Sequence, residues 1–310
     1  MSKADANSVW AFMSGSLLLA LAWRRLRFGS RDPRVLPADH TTGSCGRRPA
    51  KAHTAEVNQS PSPYADTRSV VTQGYETKQE RIAIAGADDL IIRSLLDRQQ
   101  FSDPHGEADR LGISSAAWPL FGLAWPSGMQ LAARMAARLV QAGERVLEIG
   151  CGLALPSLVA HRLGAHVTAS DCHPLTASFL KENLRLNDLL PMRYRQGHWN
   201  NAGPPYKRSG PSTPRLVRGL YDLIIGSDVL YERDEGGALT GFIARHTQPT
   251  AEVWIVDPDR GNRSAFNRDM AAQGFLMREE RLDQPETESA AAYKGRLLVY
   301  RRDGMGPAPG

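Results

Sequence analysis

The chain has 310 residues, of which 42% are hydrophobic, and this is enough for one α/β domain with appendages. Its three cysteines exclude a disulfide framework, so we expect a reducing, cytoplasmic compartment. The formal net charge is +5, and residues 1–60 alone hold nine Lys or Arg against four Asp or Glu. Since the basic excess is confined to this stretch, we expect no nucleic-acid partner.

An apolar run, Val9–Trp23, lies near the N-terminus, and three arginines follow it closely. It is shorter than the roughly 20 residues of a membrane-spanning helix. A signal peptide would carry its positive charge before the apolar run rather than after it. Three interpretations remain: a weak membrane anchor, a peripheral helix, or an incidental extension. We favour the last, so membrane contact through residues 9–23 is not the expected role.

The stretch after this run is predicted to be unstructured at first and then to form a small cap. Residues 29–74 lack apolar periodicity and have the composition of a disordered linker. The alternation in Arg81–Gly86 predicts a strand, and the acidic start and apolar face of Asp88–Gln99 predict a helix. We expect this pair to pack on the following domain as an N-terminal cap.

A loop rich in Gly, Pro and Trp occupies residues 101–128 and precedes a helix. Its large apolar side chains, which include Trp125, suit either plain packing or the roof of a pocket. The helix is predicted over Met129–Ala142, with Ser127 as its N-cap and Gly143 at its end.

From residue 145 onward, apolar strands alternate with helices. This rhythm is typical of a mostly parallel sheet with helices on both faces, in which ligands bind at the carboxyl ends of the strands. The predicted strands are Arg145–Gly150, His166–Asp171, Met192–Gly197, Tyr221–Val229, Val253–Asp257, Phe275–Leu282 and Arg296–Arg302, the last antiparallel. The predicted helices are Leu155–Leu163, Pro174–Asn187, Glu235–His246 and Asn262–Gln273. Residues 200–219 have the composition of a flexible insertion.

The first of these strands ends in a glycine turn, Glu148-Ile149-Gly150-Cys151-Gly152. The two glycines permit backbone angles and a close ligand approach that a Cβ would block. Leu155 stands where the dinucleotide fingerprint G-x-G-x-x-G has its third glycine, so a nicotinamide dinucleotide is disfavoured. The carboxylate of Glu148 suits a cationic or amine-bearing ligand better than a phosphate.

Two further strand ends carry polar side chains. Asp171 ends the second strand, about twenty residues after the first glycine, where an acid can bind ribose hydroxyls; its alternative role is a helix N-cap. Ser227, Asp228 and Tyr231 lie at and after the end of the fourth strand. Asp228 can hold an amine while Tyr231 hydrogen-bonds it and excludes water. The alternative is an ordinary strand end with an interfacial tyrosine.

Together, the glycine turn, Asp171, the Trp125-Pro126 loop and the run Asp228-x-x-Tyr231 resemble one family. It is the class I S-adenosylmethionine-dependent N-methyltransferases with an Asp-x-x-Tyr motif. The family includes protein-lysine methyltransferases, such as those of the electron-transfer-flavoprotein β-subunit, and nicotinamide N-methyltransferase-like bacterial proteins. The resemblance implies a Rossmann-like α/β fold with a mostly parallel seven-stranded sheet and an antiparallel last strand.

The resemblance also implies S-adenosylmethionine as cofactor and a role for each matching residue. The residues carried over are Glu148, Gly150 and Gly152 at the methionine half, Asp171 at the ribose, Trp125 and Ser227 along the methyl-donor pocket, and Asp228 and Tyr231 at the acceptor nitrogen. One departure follows the third strand, where the family often has an acid before a tryptophan to bind the adenine amino group. This chain has His198 before Trp199, which would flank the adenine.

The resemblance covers about residues 81–302 and suggests a division of the chain. The expected parts are a disordered extension (1–75), a cap with the Trp-rich loop (76–128), the methyltransferase domain (129–303) and a disordered tail (304–310). We expect a monomer. We expect no metal, because no Cys/His cluster has the spacing of zinc ligands.

The expected function is S-adenosylmethionine-dependent methylation of a protein lysine or another protein amine. One alternative is methylation of a small amine or pyridine, and another is a non-catalytic methyltransferase-like interaction module. Methylation of a nucleic-acid amino group is disfavoured. Those enzymes resemble one another in an Asn/Asp-Pro-Pro-aromatic run after the fourth strand, where this chain has Ser227-Asp228-Val229-Leu230.

Overall fold

The computed structural model describes residues 74–199, 215–232, 234–287 and 291–304. Nearly all of the predicted N-terminal extension, nearly all of the predicted tail and most of the predicted insertion lie outside these residues, although Tyr75, assigned to the extension, is buried in the core. The helices and strands are, in chain order, β1 (Thr77–Ile82), β2 (Leu90–Leu95), α1 (Pro126–Ala137), β3 (Arg145–Ile149), α2 (Leu155–Arg162), β4 (His166–Asp171), α3 (Thr176–Leu186), β5 (Arg193–Gln196), β6 (Tyr221–Ser227), α4 (Ala238–His246), β7 (Thr247–Asp257), α5 (Arg263–Ala272), β8 (Leu276–Arg281) and β9 (Arg296–Asp303).

A seven-stranded sheet lies at the centre, in the order β5-β4-β3-β6-β7-β9-β8. The strands from β5 to β7 in this order pair in parallel, whereas β9 pairs antiparallel with both β7 and β8. The predicted α/β class and the antiparallel last strand are therefore confirmed. Each strand and helix predicted after residue 144 is present, with its ends shifted by a few residues.

The sheet is covered by helices on both faces because successive strand residues point to opposite sides. Val146 and Leu147, both fully buried on β3, belong to separate hydrophobic clusters. The cluster around Val146 includes residues of α1, α2 and α3, and the cluster around Leu147 includes residues of α4 and α5. The carboxyl ends of the parallel strands remain at one edge, where the predicted site residues lie.

The N-terminal segment is a β-hairpin, so the helix predicted over Asp88–Gln99 is wrong. β2 pairs antiparallel with β1, from Ile82 opposite Leu90 to Thr77 opposite Leu95. Leu90, Ile92 and Ser94 are buried, which is the period of two that a strand requires. The strand predicted over Arg81–Gly86 lies several residues too late in the chain. A short apolar run does not distinguish a helical period from the strand period of two. Here the pairing with β1 makes the segment a strand.

Two asparagines, one in α3 and one directly after it, hold the hairpin against the central domain. Asn187 accepts the backbone N–H of Ile91 at 2.9 Å and donates to its carbonyl at 2.7 Å. Asn183 accepts the backbone N–H of Arg93 at 2.8 Å. The side chains thereby occupy the backbone groups along one edge of β2, which is how an exposed strand edge can be covered.

The helix before the sheet also differs from its prediction. α1 begins at Pro126 and ends at Ala137, whereas the prediction placed its end at Ala142. Ser127 lies inside the first turn and makes no capping hydrogen bond. Proline at the first helical position sets the start instead, since its fixed φ suits that position and it needs no N–H acceptor. Within the residues that the structure describes, no helix has the length and apolar character to cross a membrane.

Candidate functional site

The turn after β3 contains both predicted glycines in the left-handed region. Gly150 has φ +57° and Gly152 has φ +48°. A Cβ on Gly152 would lie 2.9 Å from the carbonyl oxygen of Phe121, and a Cβ on Gly150 would lie 3.0 Å from Cγ1 of Val229. The two glycines are thus required by the backbone angles and by close neighbours from the Trp-rich loop and from the segment after β6.

Glu148 is buried beneath this turn, with 1% of its surface exposed. Its Oε2 accepts the backbone N–H of Ser157 in the first turn of α2 at 3.0 Å, so it stabilises the start of that helix. The pKa of Glu148 is raised to about 8, mainly by burial and in part by the nearby Asp171 carboxylate, while hydrogen bonds with Ser157 oppose the rise. This role as a helix cap was not part of the prediction, which assigned Glu148 to the cofactor.

Asp171 ends β4 and contacts the same turn. Its Oδ2 accepts the backbone N–H of Gly152 at 2.9 Å, and its Oδ1 accepts that of His173 at 2.8 Å. Burial raises the pKa of this carboxyl group, although the hydrogen bonds lower it. Each carboxylate oxygen can accept a second hydrogen bond, so Asp171 retains capacity for the hydroxyl groups of a ligand.

Two predicted site residues, His198 and Trp199, follow β5, and Trp199 contacts the glycine turn. Cζ2 of Trp199 lies 3.8 Å from the position that a Cβ on Gly150 would take, so the indole borders the turn. Nε2 of His198 is buried and has no hydrogen-bond partner in the part of the chain that the structure describes. Burial also lowers the pKa of His198, which favours the neutral imidazole.

The predicted pocket residues of α1 and β6 are also close to each other. A Cβ on Gly128 would lie 3.6 Å from Oγ of Ser227, so this serine faces the first turn of α1. Trp125, directly before α1, donates from Nε1 to the carbonyl of Leu120 at 2.8 Å. That hydrogen bond fixes its indole against the Trp-rich loop.

Asp228 follows β6 in a strained conformation and is paired with an arginine. It has φ +57°, a region that few residues other than Gly, Asn and Asp adopt. Its backbone N–H donates to the carbonyl of Val256 at 2.8 Å, and its Oδ1 accepts Nε of Arg260 at 2.6 Å. Tyr231, three residues later, is 46% exposed. The structure therefore places Asp228 in a fixed position, with Tyr231 at the surface beside it.

Four residues near this point were not predicted as site residues from the sequence. Tyr293 and Ser127 share a hydrogen bond between their hydroxyl groups at 3.0 Å, across 166 positions. Asp257, which is fully buried at the end of β7, accepts the backbone N–H of Arg260 at 2.9 Å. The run Asp257–Arg260 was visible in the sequence, but nothing in it indicated that Arg260 pairs with Asp228.

Comparison with known proteins finds similarity to methyltransferases. The sequence profile described as "Ribosomal protein L11 methyltransferase (PrmA)" matches residues 123–200, which include the glycine turn and Asp171. Protein N-lysine methyltransferase METTL21A of Danio rerio is 29% identical over 162 residues, which cover 51% of this chain and 71% of that protein. These similarities support a class I methyltransferase.

Two further relatives match this chain over shorter stretches. Histone-arginine methyltransferase METTL23 of Rattus norvegicus is 28% identical, over 42% of this chain and 56% of that protein. The electron transfer flavoprotein beta subunit lysine methyltransferase of Danio rerio is 37% identical, over 24% of this chain and 30% of that protein. The chain thus spans less than two thirds of both of these relatives.

Proposed function

We propose that this methyltransferase transfers the methyl group of S-adenosylmethionine to a side-chain nitrogen of a protein, with lysine as the expected acceptor. The observation that carries the proposal is the contact between the glycine turn and the acceptor motif. Val229, within the run Asp228-x-x-Tyr231, approaches Gly150 so closely that a Cβ there would be 3.0 Å away. A cofactor on the turn and an amine on Asp228 would therefore be neighbours.

The residues around the turn fit S-adenosylmethionine. Asp171 retains acceptor capacity for ribose hydroxyls, and Nε2 of His198 is a buried atom that needs a polar partner such as an adenine. Trp199 offers an apolar wall beside Gly150. Glu148 is a buried carboxylate whose charged neighbour is another acid, Asp171, so a cationic ligand would stabilise its ionised form. These roles are proposals, as are those of Trp125, Gly152 and Ser227.

The cofactor, when bound, supplies a methyl group that is already activated on a sulfonium. The chain then has to position the acceptor and exclude water. Asp228 would accept a hydrogen bond from the amine, and Tyr231 would close the site from the solvent side. The names of the relatives favour a protein over a small molecule as the acceptor. The low cysteine content supports a cytoplasmic location.

The test uses the full chain, isotopically labelled S-adenosylmethionine and a cell lysate, with protein and small-metabolite fractions counted separately. We expect label in protein. The variant Asp228→Asn should lower transfer by roughly 100-fold while cofactor binding by calorimetry stays within about threefold, because the reacting groups lose their alignment. Asn is chosen because it tolerates positive φ.

A matched control is Asp188→Asn, since Asp188 also has a positive φ, +52°, but lies exposed after α3. It should transfer at the wild-type rate. Label confined to small metabolites would replace the proposal by the small-molecule alternative. Absence of S-adenosylmethionine binding would favour a non-catalytic module.

A further inference from the structure

The carboxylate expected to face the acceptor is already paired with a cation of the chain. Oδ1 of Asp228 accepts Nε of Arg260 at 2.6 Å, and its side chain is only 12% exposed, against 40% for Arg260. In the part of the chain that the structure describes, Oδ2 of Asp228 has no recorded hydrogen-bond partner. One oxygen is thus bound to a guanidinium, and the other can still accept a hydrogen bond.

The turn after β7 is built so that Arg260 reaches Asp228. Asp257 accepts the backbone N–H of Arg260, and this hydrogen bond fixes the backbone from which the Arg260 side chain extends. Asp259, the residue before it, has φ +60° and binds three other arginines. These are Arg263 at 2.6 Å, Arg281 at 3.2 Å and Arg296 at 2.7 Å. Asp259 thus binds Arg263, Arg281 and Arg296, whereas Arg260 pairs with Asp228 of the acceptor motif.

The charge of the pair matters for the chemistry of a lysine acceptor. An ammonium has no lone pair, so the amine must lose its proton before it can take a methyl group. An isolated carboxylate within hydrogen-bond distance would favour the charged ammonium and so oppose that loss. A carboxylate neutralised by a guanidinium keeps its hydrogen-bonding geometry and exerts much less of this effect.

We propose that Arg260 is a positioning residue of the acceptor site, which neutralises Asp228 so that this carboxylate orients the uncharged amine of a lysine without retaining its proton. This inference rests on the proposed function. The lysine ammonium releases one proton to water, and the lone pair of the resulting amine then forms the N–C bond as the C–S bond breaks. The electron pair of that bond stays on sulfur, giving S-adenosylhomocysteine, and the product carries the positive charge as a methylammonium.

Other charged and titratable groups surround Asp228 from three segments. Those that interact with Asp228 itself are Tyr231 after β6, Asp257 at the end of β7 and Tyr293 before β9. The next groups outward are Glu232 beside Tyr231, Asp259 near Tyr293 and Arg263 beside Asp257. All of them are unchanged when Arg260 alone is replaced. A difference in pH dependence between wild type and an Arg260 variant is therefore assigned to the lost guanidinium.

The experiment measures the initial rate of label transfer to lysate proteins between pH 6 and 10, at saturating S-adenosylmethionine. In Arg260→Met we expect the acid limb of the profile to move up by about one to two pH units, which is the effect of one nearby charge. At pH 7 the rate should fall by roughly 10- to 100-fold, and at the alkaline plateau it should stay within about threefold. Arg260→Lys keeps the charge and should restore the wild-type profile.

Arg281→Met is the matched control, because it removes a guanidinium of the same edge that binds Asp259 and Asp283 instead of Asp228. Its profile should equal that of the wild type. Calorimetry with S-adenosylhomocysteine checks that each variant is folded, and Arg260→Gln replaces the Met variant if that one is not. Hydrolysis of the labelled protein should yield methyl-lysine.

Three outcomes would overturn the inference. They are an acid limb that does not move in either uncharged variant, a limb that moves equally in Arg281→Met, and label recovered as methylarginine. A wild-type protein that transfers no label to protein would instead reject the proposed function itself, and the inference with it.

Discussion

Asp171 accepts the backbone N–H of Gly152 at 2.9 Å, so the last residue of β4 holds the turn that follows β3. Both of its oxygens accept backbone N–H groups, and in Asp171→Asn an NH2 group would face one of these donors. We expect this variant to bind S-adenosylmethionine roughly 10- to 100-fold more weakly, the effect of losing a hydrogen bond to a charged group. Calorimetry measures it, and equal affinity would show that Asp171 does not support the cofactor site.

The buried carboxyl group of Glu148 should make stability depend on pH. Its pKa is raised from 4.5 to about 8 in the folded chain. The folded state therefore binds the proton more tightly than the unfolded state. The free energy of unfolding should fall as pH rises across this interval, by up to about 1.4 kcal/mol per pH unit, and level off above it.

Urea unfolding without cofactor, at pH values from 5 to 9, measures this dependence. Glu148→Gln keeps the size of the side chain and removes the titrating group. The variant should lose this part of the pH dependence. If wild type and variant show the same slope between pH 5 and 8, the titration of Glu148 is not its source.

The hydroxyl pair of Ser127 and Tyr293 should stabilise the segment before β9 against α1. Tyr293→Phe leaves the ring in place and removes one partner of the 3.0 Å hydrogen bond. We expect a loss of about 1 to 2 kcal/mol in the free energy of unfolding, because the buried hydroxyl of Ser127 is left unpaired. A double-mutant cycle with Ser127→Ala isolates the pair, and a coupling energy near zero would contradict the contact.

The hairpin should depend on the amide of Asn187. Asn187→Ala removes two hydrogen bonds to Ile91 and leaves backbone groups of β2 unpaired. Unfolding should become easier by about 2 to 3 kcal/mol. The control is Arg185→Ala on α3, where only an exposed ion pair with Glu182 is lost and we expect little change in stability. Equal effects of the two variants would show that the amide of Asn187 does not hold the hairpin.

The sequence was informative where a residue's role follows from its place along a strand. Asp171 and Asp228 could be placed at one edge of the sheet because each comes directly after an apolar run, and parallel strands end together. Such runs are long and buried, so they identify the central strands well. The roles in catalysis and binding that we assigned to these residues remain predictions.

The sequence was misleading or uninformative where a contact with a residue far along the chain determines the local structure. The residues Leu90–Leu95 form a strand because β1 pairs with them, and a period of two in six residues is a weak signal beside an apparent helical face. Ser127 stands where a helix N-cap is expected from the sequence, but its hydroxyl instead forms a hydrogen bond with Tyr293, far along the chain. The pairing of Arg260 with Asp228 is likewise a tertiary contact, which no spacing within either segment reports.

The carboxylate of Asp259 also governs the electrostatic potential outside this edge of the sheet. Three arginines bind Asp259 there, and each also contacts a second acid: Arg263 contacts Asp257, Arg281 contacts Asp283 and Arg296 contacts Glu279. Replacing Asp259 by Asn would remove the negative charge that the three guanidinium groups share, so the potential at this edge would become more positive. Such a surface attracts phosphate-rich polymers without regard to sequence. The carboxylate of Asp259 thus limits nonspecific binding of polyanions to the surface beside the proposed acceptor site.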